Sequence, residues 1–298
     1  MKPILITGAT GTLGRAFARL CRVRGISFKV TRRDELDIAD RTSVAAALDR
    51  IQPWAVINTA GYVRVDDAEA EEPTCKRENA EGPALLAEAC AARSVDFVTF
   101  SSDLVFDGEK GAPYEETDPV RPLNAYGRSK AEAEARVAAA HRRALVIRTS
   151  AFFGPWDEYN FVTIALRRLA AGEKVKAAGD AVVSPTYVPD LVSSTLDLLI
   201  DGESGIWHLA SAGALTWAAF ASLAAELAGF DASAVESEPT DRMKLPARRP
   251  RWSALGSARG ALLPSLTDAL GRYFGARAAY LREIAPHVPA CVEDGGRT

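Results

Sequence analysis

Three side chains in this sequence have the types and the spacing for acid catalysis. Tyr126 and Lys130 lie four residues apart, and Ser102 follows an apolar run upstream. Residues i and i+4 share one face of a helix, so the ammonium group would lie near the phenol. A positive charge there would lower the pKa of the tyrosine and suit it to donate a proton near neutral pH. The alternative interpretation is a surface helix preceded by a strand-end serine.

Three glycines near the N-terminus are spaced for binding a phosphate group. Gly8, Gly11 and Gly14 stand between the β-type run 4–7 and the helical segment 15–24. In such a loop the first glycine permits a tight turn, the second lets a pyrophosphate approach the backbone, and the third lets helix and strand pack closely. The helix start then offers free N–H groups and a partial positive charge. The pattern predicts a dinucleotide site, and a glycine-rich turn without a ligand is the alternative.

The residues after the second predicted strand bear on which dinucleotide binds. Arg32 and Arg33 come first, followed by Asp34 and Glu35. An arginine at this place accommodates the 2′-phosphate of NADP, whereas an acid bonds the 2′-hydroxyl of NAD. We therefore expect NADPH, with Arg32 among its ligands, while NADH stays open because either acid could serve it. Two solvated loop arginines are the alternative.

Residues 1–150 alternate short apolar runs with longer, alanine-rich segments. The predicted strands are Ile4–Thr7, Phe28–Thr31, Ala55–Thr59, Val95–Ser101 and Ala144–Thr149. The predicted helices are Arg15–Arg24, Ser43–Arg50, Pro83–Arg93 and Ser129–Ala140. Apolar strands separated by helices indicate a parallel sheet covered on both faces. We predict an α/β fold with a Rossmann-type, doubly wound parallel sheet, in which 1–150 bind the dinucleotide. Ser102 and Tyr126 would meet at the carboxyl ends of its strands.

The alternation of short apolar runs with alanine-rich segments ends after residue 150. This change predicts a smaller C-terminal lobe over 151–298 that binds the substrate. Some later elements, at about 181–204, could return to the sheet. The predicted elements are helices at Asn160–Ala171, Leu191–Ile200 and Thr216–Leu227, extended segments at Ala181–Val188 and Ile206–Leu209, a loop-rich stretch at Asp231–Gly260 and a polar end at Glu293–Thr298.

The composition is that of a globular protein without a strongly charged partner surface. The 298 residues include 48% hydrophobic and 25% charged side chains, and the formal net charge is −3. This balance favours neither nucleic acid nor an anionic membrane as a partner. No apolar run is long enough for a membrane span, and the first one is too short for a signal peptide. We therefore expect a cytoplasmic protein.

The cysteines and histidines are scattered rather than grouped. They are Cys21, Cys75, Cys90, Cys291, His141, His208 and His287. No C-x-x-C or H-E-x-x-H spacing occurs, so we expect reduced thiols and no metal site. We interpret His208, next to Trp207, as part of a buried strand.

Three charged or polar stretches have either a simple structural interpretation or two alternatives. The acidic run 66–72 is interpreted as a solvated helix start, since paired catalytic carboxylates need a separation that spacing alone does not give. The basic run 248–251 could bind a diphosphate or form a solvated loop. The segment 184–187 could wall a substrate pocket or simply pack.

Further motifs follow one another in order along most of the chain. They include Leu36-Asp37-Ile38-Ala39-Asp40, Val56-Ile57-Asn58-Thr59-Ala60-Gly61-Tyr62, Asn79-Ala80-Glu81-Gly82, Ser101-Ser102-Asp103-Leu104-Val105-Phe106, Pro122-Leu123-Asn124-Ala125-Tyr126, Arg148-Thr149-Ser150 and Arg249-Pro250. With the glycine loop and the Tyr–Lys pair, they resemble the extended short-chain dehydrogenase/reductases. More closely they resemble the dTDP-4-dehydrorhamnose reductases, the sugar-nucleotide reductase branch.

The resemblance implies roles for individual residues. It places the cofactor against Gly8, Gly11, Thr12, Leu13 and Gly14 at the pyrophosphate, Asp37 and Ile38 at the adenine, and Ala60, Gly61 and Tyr62 at the middle. It makes Tyr126 the proton donor, Lys130 the residue that holds the nicotinamide ribose and Ser102 a second hydroxyl. It also brings Ser102 and Asp103 into contact with the sugar.

Two positions depart from the pattern of the family. Leu104 stands where the family usually has tyrosine, and Ala151 stands where it usually has tryptophan. Both positions normally shape the sugar pocket, so Ala151 is a candidate substrate contact. Phe152, Phe153 and Trp156 could refill the space. The exact sugar and the base of its nucleotide therefore stay open.

The resemblance implies an NAD(P)H-dependent reductase of a 4-keto sugar nucleotide, with dTDP-4-dehydrorhamnose as the expected substrate. A dehydratase or epimerase of the same superfamily is an alternative, although no Asp-Glu pair follows Ser102, as a dehydratase would need. A non-catalytic, NADP-binding regulatory subunit is another. The expected partner is the nucleotide sugar, and a homodimer is left open.

Overall fold

The computed structural model describes residues 2–284. The strands are β1 (Ile4–Thr7), β2 (Phe28–Thr31), β3 (Ala55–Asn58), β4 (Asp96–Ser102), β5 (Leu145–Thr149), β6 (Phe152–Phe153), β7 (Val175–Ala178), β8 (Val182–Val183), β9 (Thr186–Tyr187), β10 (Gly205–His208), β11 (Leu215–Thr216) and β12 (Val235–Glu238). The helices are α1 (Thr12–Val23), α2 (Arg41–Ile51), α3 (Glu72–Lys76), α4 (Gly82–Ala91), α5 (Ala125–Ala140), α6 (Phe161–Ala170), α7 (Val188–Ile200), α8 (Trp217–Leu227) and α9 (Leu266–Ile284).

Within residues 2–284, six parallel strands form the central sheet in the order β10-β5-β4-β3-β1-β2. From β1 the chain moves to β2 on one side and then to β3, β4 and β5 on the other. The order therefore reverses between β1 and β3, which is where open α/β sheets bind ligands at the carboxyl ends of their strands. The predicted Rossmann-type, doubly wound fold is confirmed.

The strands are apolar throughout because both faces of the sheet are covered. Along β1, Ile4 and Ile6 pack with Phe17 of α1 and with the buried side chains of α7 on one face. Leu5 points to the other face, where it joins apolar residues of α2, α4 and α5. This alternation follows from the two-residue period of a strand. It gives the sheet one hydrophobic layer on each side.

The second half of the chain builds a smaller lobe from short elements. Three two-stranded pairs, β6 with β9, β8 with β11 and β7 with β12, surround α6, α8 and α9. The core of this lobe joins Phe153 to Phe220 and Tyr273, whose rings meet edge to face at centroid distances of 5.5 and 5.6 Å. The division of the chain at residue 150 stays a prediction.

The later elements that pack on or extend the central sheet differ in detail from the expected segment 181–204. Helix α7 does pack on the central sheet, but β8 and β9 pair within the small lobe instead. The strand that extends the sheet is β10, which pairs in parallel with β5. Trp207 of β10 is buried in the same cluster as Ile147 of β5. Burial of the Trp207 indole therefore accounts for the position of β10 beside β5. The interpretation of Trp207 and His208 as buried strand residues is confirmed.

The loop-rich interpretation of 231–260 omitted β12, and α9 was not predicted at all. Gly271 and Gly275 interrupt the apolar pattern of α9, whose helical state depends on Leu270 and Tyr273 packing against the small lobe.

The polar end 293–298 and Cys291 lie outside the described residues. Among 2–284, no helix is long and apolar enough to cross a membrane, and no three metal-ligating side chains are grouped. Cys21, Cys75 and Cys90 are free and buried.

A buried polar network joins the two halves beside β5. Arg148 is ion-paired to Glu134 of α5 at 2.6 Å, and its Nη1 lies 3.2 Å from Nε2 of His208. The other ring nitrogen, Nδ1, lies 3.0 and 2.8 Å from the carbonyl oxygens of Tyr114 and Gly256. Carbonyls only accept and guanidinium only donates, so the ring carries its hydrogen on Nδ1 and accepts at Nε2. This arrangement requires a neutral imidazole.

We expect the stability of the protein to fall in acid partly because of His208. Burial, and then the charge of Arg148, lower the pKa of this imidazole below its ordinary value. The unfolded chain therefore binds a proton more readily, and stability is lost as pH falls below about 6.5. Melting temperatures of His208→Asn between pH 8 and pH 5 should be lower overall but depend less on pH. An unchanged slope would contradict the neutral-ring assignment.

Candidate active site

A cleft of about 650 Å³ lies at the carboxyl edge of the sheet, between the two halves of the chain. Tyr126, Ser102 and Asp103 line it from the sheet side. The small lobe contributes apolar and cationic residues, namely Phe161, Ile164, Lys176, Trp217, Met243, Leu245 and Arg249. Leu104 and Ala151, the two departures from the family pattern, also line it. The structure therefore brings together the reactive residues that lie far apart in the sequence.

Helix α5 begins four residues before its predicted start, and this places Tyr126 in its first turn. Asn124 caps the helix by accepting the backbone N–H of Gly127 at 2.7 Å. The backbone of Gly127 lies so close to the turn after β4 that a Cβ there would be 2.1 Å from the Leu104 carbonyl oxygen. Only glycine permits this approach, which brings Tyr126 to Ser102.

The Tyr126–Lys130 pair forms as the four-residue spacing predicts. The Lys130 Nζ lies 5.7 Å from the centroid of the Tyr126 ring and donates a hydrogen bond of 3.1 Å to the Phe100 carbonyl oxygen. Burial lowers the pKa of Lys130 to about 8, against the opposing charges of Cys75 and Glu134. The ammonium is therefore charged at neutral pH, with its position fixed by the backbone of β4.

The expected direction of the Tyr126 pKa is wrong for this structure. Burial, and then the negative charge of Asp103, raise the pKa of the phenol, while a hydrogen bond with Ser102 lowers it. The i, i+4 spacing correctly gives proximity to Lys130 but does not show burial, and here burial dominates. The phenol is thus a protonated donor throughout the neutral range.

Asp103 is a buried carboxylate surrounded by serine hydroxyls. Its Oδ1 accepts a hydrogen bond from Ser102 at 3.1 Å, and its Oδ2 accepts from Ser150 at 2.8 Å and from Ser253 at 2.5 Å. Burial raises the pKa of Asp103, and these three bonds partly oppose the shift. Sequence reasoning missed the roles of Ser150 and Ser253, although Ser150 belongs to the Arg-Thr-Ser motif. We name these four residues the Asp103 cluster.

The glycine loop fits a pyrophosphate. Gly8 has a φ of +77°, and a Cβ on Gly14 would lie 2.2 Å from the Gly8 carbonyl oxygen, so the protein itself requires both glycines. At Gly11 the nearest atom to an added Cβ is 3.5 Å away, which is ordinary contact. Helix α1 has no side-chain cap and no acidic residue in its first turn, which leaves its N-terminus suited to an anion.

The two residues after Gly11 differ in what they can offer to a ligand. The Leu13 side chain is buried in the core, so only its backbone can face a ligand. The Thr12 hydroxyl donates to Asp157 at 2.9 Å, which ties the glycine loop to the segment after β6. Sequence reasoning gave no role to Asp157.

The loop after β3 is held by Asn79, which sequence reasoning quoted in a motif without a role. The Asn79 side chain accepts from the Tyr62 backbone N–H at 2.8 Å and donates to its carbonyl oxygen at 3.0 Å. A Cβ on Gly61 would lie 2.7 Å from the Asn79 Oδ1, so this residue must be glycine. Ala60 and Gly61 thereby stand beside the glycine loop, across the point where the strand order reverses. The Tyr62 side chain is buried and bonds Glu71.

The predicted adenine end is built around ion pairs. Asp37 binds Arg77 at 2.7 Å, and although burial opposes it, this bond holds the pKa of Asp37 below its ordinary value. Ile38 is buried against Gly82. Arg33 is paired with Glu78, whereas the Arg32 side chain is exposed. Whether these residues bind a cofactor stays a prediction.

The acidic and basic runs are tied together rather than simply solvated. Asp66 accepts from the Ala247 backbone N–H at 3.1 Å and pairs with Arg249 at 3.0 Å. Glu69 accepts the backbone N–H of Ala125 at 2.7 Å, beside the start of α5. Most of the acidic run is exposed, as expected of a solvated helix start, and two of its carboxylates also bond backbone N–H groups of neighbouring segments.

A family model described as the RmlD substrate binding domain matches residues 1–263. The chain belongs to this family. A dTDP-4-dehydrorhamnose reductase of Mycolicibacterium smegmatis is 38% identical over 261 residues, which cover 87% of the chain and 79% of that protein. A dTDP-4-keto-6-deoxy-D-glucose reductase of Streptomyces niveus is 36% identical over 253 residues, which cover 85% of the chain and 88% of that protein.

A solved structure superposes closely on the chain. The crystal structure of dTDP-4-dehydrorhamnose reductase from Bacillus anthracis in complex with NADP matches with a TM-score of 0.87 and 29% identity, covering 92% of the chain and 98% of that structure. The resemblance inferred from the ordered motifs is confirmed.

Two glycine variants separate a ligand requirement from a folding requirement. In Gly11→Ala the added methyl meets no close protein atom, so the melting temperature should fall by only about a few degrees. NADPH affinity should weaken at least about tenfold, because the methyl would occupy the path of a pyrophosphate. Gly14→Ala should destabilise the protein itself. Calorimetry and NADPH titration measure both effects, and wild-type NADPH affinity in Gly11→Ala would contradict the assignment.

Proposed function

We propose that this protein is an NADPH-dependent reductase of a 4-keto sugar nucleotide, with dTDP-4-dehydrorhamnose as substrate and dTDP-rhamnose as product. One observation carries the proposal. Tyr126 and Ser102 line the same cleft, beside the glycine loop, and no contact within the protein requires residue 11 of that loop to be glycine. The names of the relatives support the substrate class. NADP in the Bacillus anthracis relative supports the cofactor, with NADH as the second choice.

The bound nicotinamide would supply a hydride to the ketone carbon. Tyr126 then donates its proton to the oxygen that becomes an alkoxide. Its raised pKa keeps the phenol protonated until negative charge develops on that oxygen. Ser102 donates a hydrogen bond to the same oxygen, and such donors act strongly in a water-poor cleft. Lys130 holds the nicotinamide ribose and adds positive charge beneath the tyrosine ring.

The walls of the cleft suit a deoxy sugar joined to a diphosphate. Leu104 and Ala151 give an apolar surface near Tyr126, which accommodates a methyl group without unpaired polar atoms. Arg249, which is paired with Asp66, and Lys176, which is paired with Glu238, line the cleft as the cationic groups that would meet the diphosphate. A dehydratase is less well supported, because the residues after Ser102 are Asp103 and Leu104, and Asp103 is already engaged by serines.

Tyr126→Phe tests the reductase against a non-catalytic NADP-binding role. We expect the oxidation of NADPH, followed at 340 nm with dTDP-4-dehydrorhamnose, to slow by about 10²–10⁴-fold, since the variant lacks the proton donor. NADPH affinity should change less than about twofold. Tyr280→Phe, which removes a hydroxyl from α9 outside the cleft, is the matched control and should keep the wild-type rate. A wild-type protein that binds NADPH but does not oxidise it would favour the regulatory role or another keto sugar.

The affinity for NADPH should depend on the charge of Lys130. Because its pKa is about 8, the ammonium is present below that pH and is lost as pH rises through it. We expect the NADPH dissociation constant to increase across this range. In Lys130→Arg the affinity should be lower at neutral pH, but the increase should vanish because guanidinium stays charged. Fluorescence titration from pH 6.5 to pH 9.5 measures this, and a rise kept by Lys130→Arg would refute the role.

A further inference from the structure

Segment 154–160, which we name the strap, joins the glycine loop to the small lobe. It follows β6 and leads into α6. Near its middle, the Oδ2 of Asp157 accepts the hydroxyl hydrogen of Thr12 at 2.9 Å, across 145 residues of chain. The next residue, Glu158, binds Arg277 of α9 through two hydrogen bonds of 2.5 and 2.8 Å. Two adjacent carboxylates therefore anchor the strap to both halves of the molecule.

Asp157 brings a negative charge to the N-terminus of α1. Thr12 is the first residue of this helix, which has no side-chain cap and no acidic residue in its first turn. The first N–H groups of a helix have no partner within it, and an anion close to them is stabilising. The helix start therefore receives from a distant segment the charge that its own sequence lacks.

The same helix start is where a dinucleotide would place its pyrophosphate. The carboxylate of Asp157 accepts from the Thr12 hydroxyl and, at 2.8 Å, from the backbone N–H of Tyr159. Both donors are neutral, so neither bond cancels the charge of the carboxylate. A pyrophosphate bound here would be a second anion beside it, and like charges at short range repel. The two anions therefore compete for one helix start.

Asp157 also organises the beginning of α6, which forms part of the cleft wall. Its carbonyl oxygen accepts from the Asn160 side chain at 2.7 Å and from the Thr163 hydroxyl at 3.1 Å. Asn160 in turn caps α6 by accepting the backbone N–H of Thr163 at 3.0 Å. Tyr159 and Phe161, on either side of Asn160, both line the cleft. A displacement of Asp157 would therefore also displace this wall.

We propose that Asp157 is a positioning residue that occupies the anion position of α1 until the dinucleotide displaces it, and that the strap transmits this displacement to the substrate cleft. Without a dinucleotide, the carboxylate holds the strap on Thr12. With one, the carboxylate leaves Thr12, while the pair of Glu158 with Arg277 keeps the strap attached to the small lobe. The inference rests on the dinucleotide part of the proposed function and not on the identity of the sugar.

Asp157→Asn is the first test, because the amide oxygen can still accept from Thr12 but carries no charge. The melting temperature of the protein alone should fall by about 1–3 degrees, since the helix start loses its anion. The affinity for NADPH should nevertheless rise by about threefold to tenfold, since the competing charge is gone. A merely structural role would lower both quantities. Calorimetry and NADPH titration measure them, and an affinity that stays equal or falls would overturn the proposal.

Glu158→Gln is the matched control. It removes the same charge from the neighbouring residue of the strap, whose partners Arg277 and Arg167 belong to the small-lobe helices. Its melting temperature should also fall, but its NADPH affinity should change by less than about twofold at physiological ionic strength. If Glu158→Gln tightened NADPH binding as much as Asp157→Asn, net charge alone would explain the effect, and the proposal would fail.

Trp156 provides a direct signal of strap displacement, because it precedes Asp157 and its ring lies 5.0 Å from the Arg19 guanidinium. We expect saturating NADP⁺ to change the tryptophan fluorescence of the wild type, and this component should be missing in Trp156→Phe. A Trp156 component that NADP⁺ leaves unchanged would overturn the displacement. A wild-type protein that does not bind NADPH or NADP⁺ at all would instead refute the proposed function.

The step from the strap to the cleft is tested with two ligands together, NADP⁺ and dTDP. In the wild type, saturating NADP⁺ should change the dissociation constant of dTDP by at least about threefold, because the two sites share a movable wall. In Asp157→Asn the values with and without NADP⁺ should be nearly equal. Equal values in the wild type, or a change that Asp157→Asn keeps, would overturn this step. A wild type that binds NADP⁺ but not dTDP would count against the proposed substrate class.

Discussion

The close approach of α5 to the end of β4 is the constraint on which the cleft depends. Gly127 makes it possible, because any side chain there would collide with the Leu104 carbonyl. The same approach sets Tyr126 beside Ser102 and lets Lys130 reach the Phe100 carbonyl. Asn124, which caps the helix, also donates to the Arg248 carbonyl at 2.8 Å. One helix start therefore positions the reactive groups and anchors a wall of the small lobe.

The two halves of the chain are joined near the cleft by directional polar contacts. Asp66 with Arg249 and Asp103 with Ser253 each cross from the sheet to the segment that follows β12. The ring of His208 reaches the Gly256 carbonyl in the same segment. Apolar packing tolerates small displacements of one lobe on another, whereas hydrogen bonds fix distance and angle. The polar contacts between the two halves thus fix the position of the small-lobe side of the cleft relative to Tyr126.

Much of the fold followed from local pattern, because a buried parallel strand is an uninterrupted apolar run. β1 and β2 have their predicted bounds, and the ends of β3, β4 and β5 moved by only one residue. Tyr126 and Lys130 could likewise be selected by their spacing, and Ser102 by its place at the end of a predicted strand. Ser253 could not be joined to Asp103, since 150 residues separate them in the chain. Helix α9 was missed for a related reason: its support comes from Phe153 and Phe220, far upstream.

The direction predicted for the Tyr126 pKa was wrong because sequence spacing carries no information on burial. Four residues on a helix place a lysine near a phenol, and Coulomb attraction alone would then favour the phenolate. Burial acts on all three groups and favours the neutral form of each, raising the pKa of Tyr126 and Asp103 and lowering that of Lys130. At neutral pH Lys130 nevertheless keeps its charge, because its pKa of about 8 lies above that range. In the proposed reduction, the hydroxyls of Tyr126 and Ser102 would stabilise an alkoxide that develops in the cleft more than they stabilise the ketone, and such a difference is what accelerates a reaction.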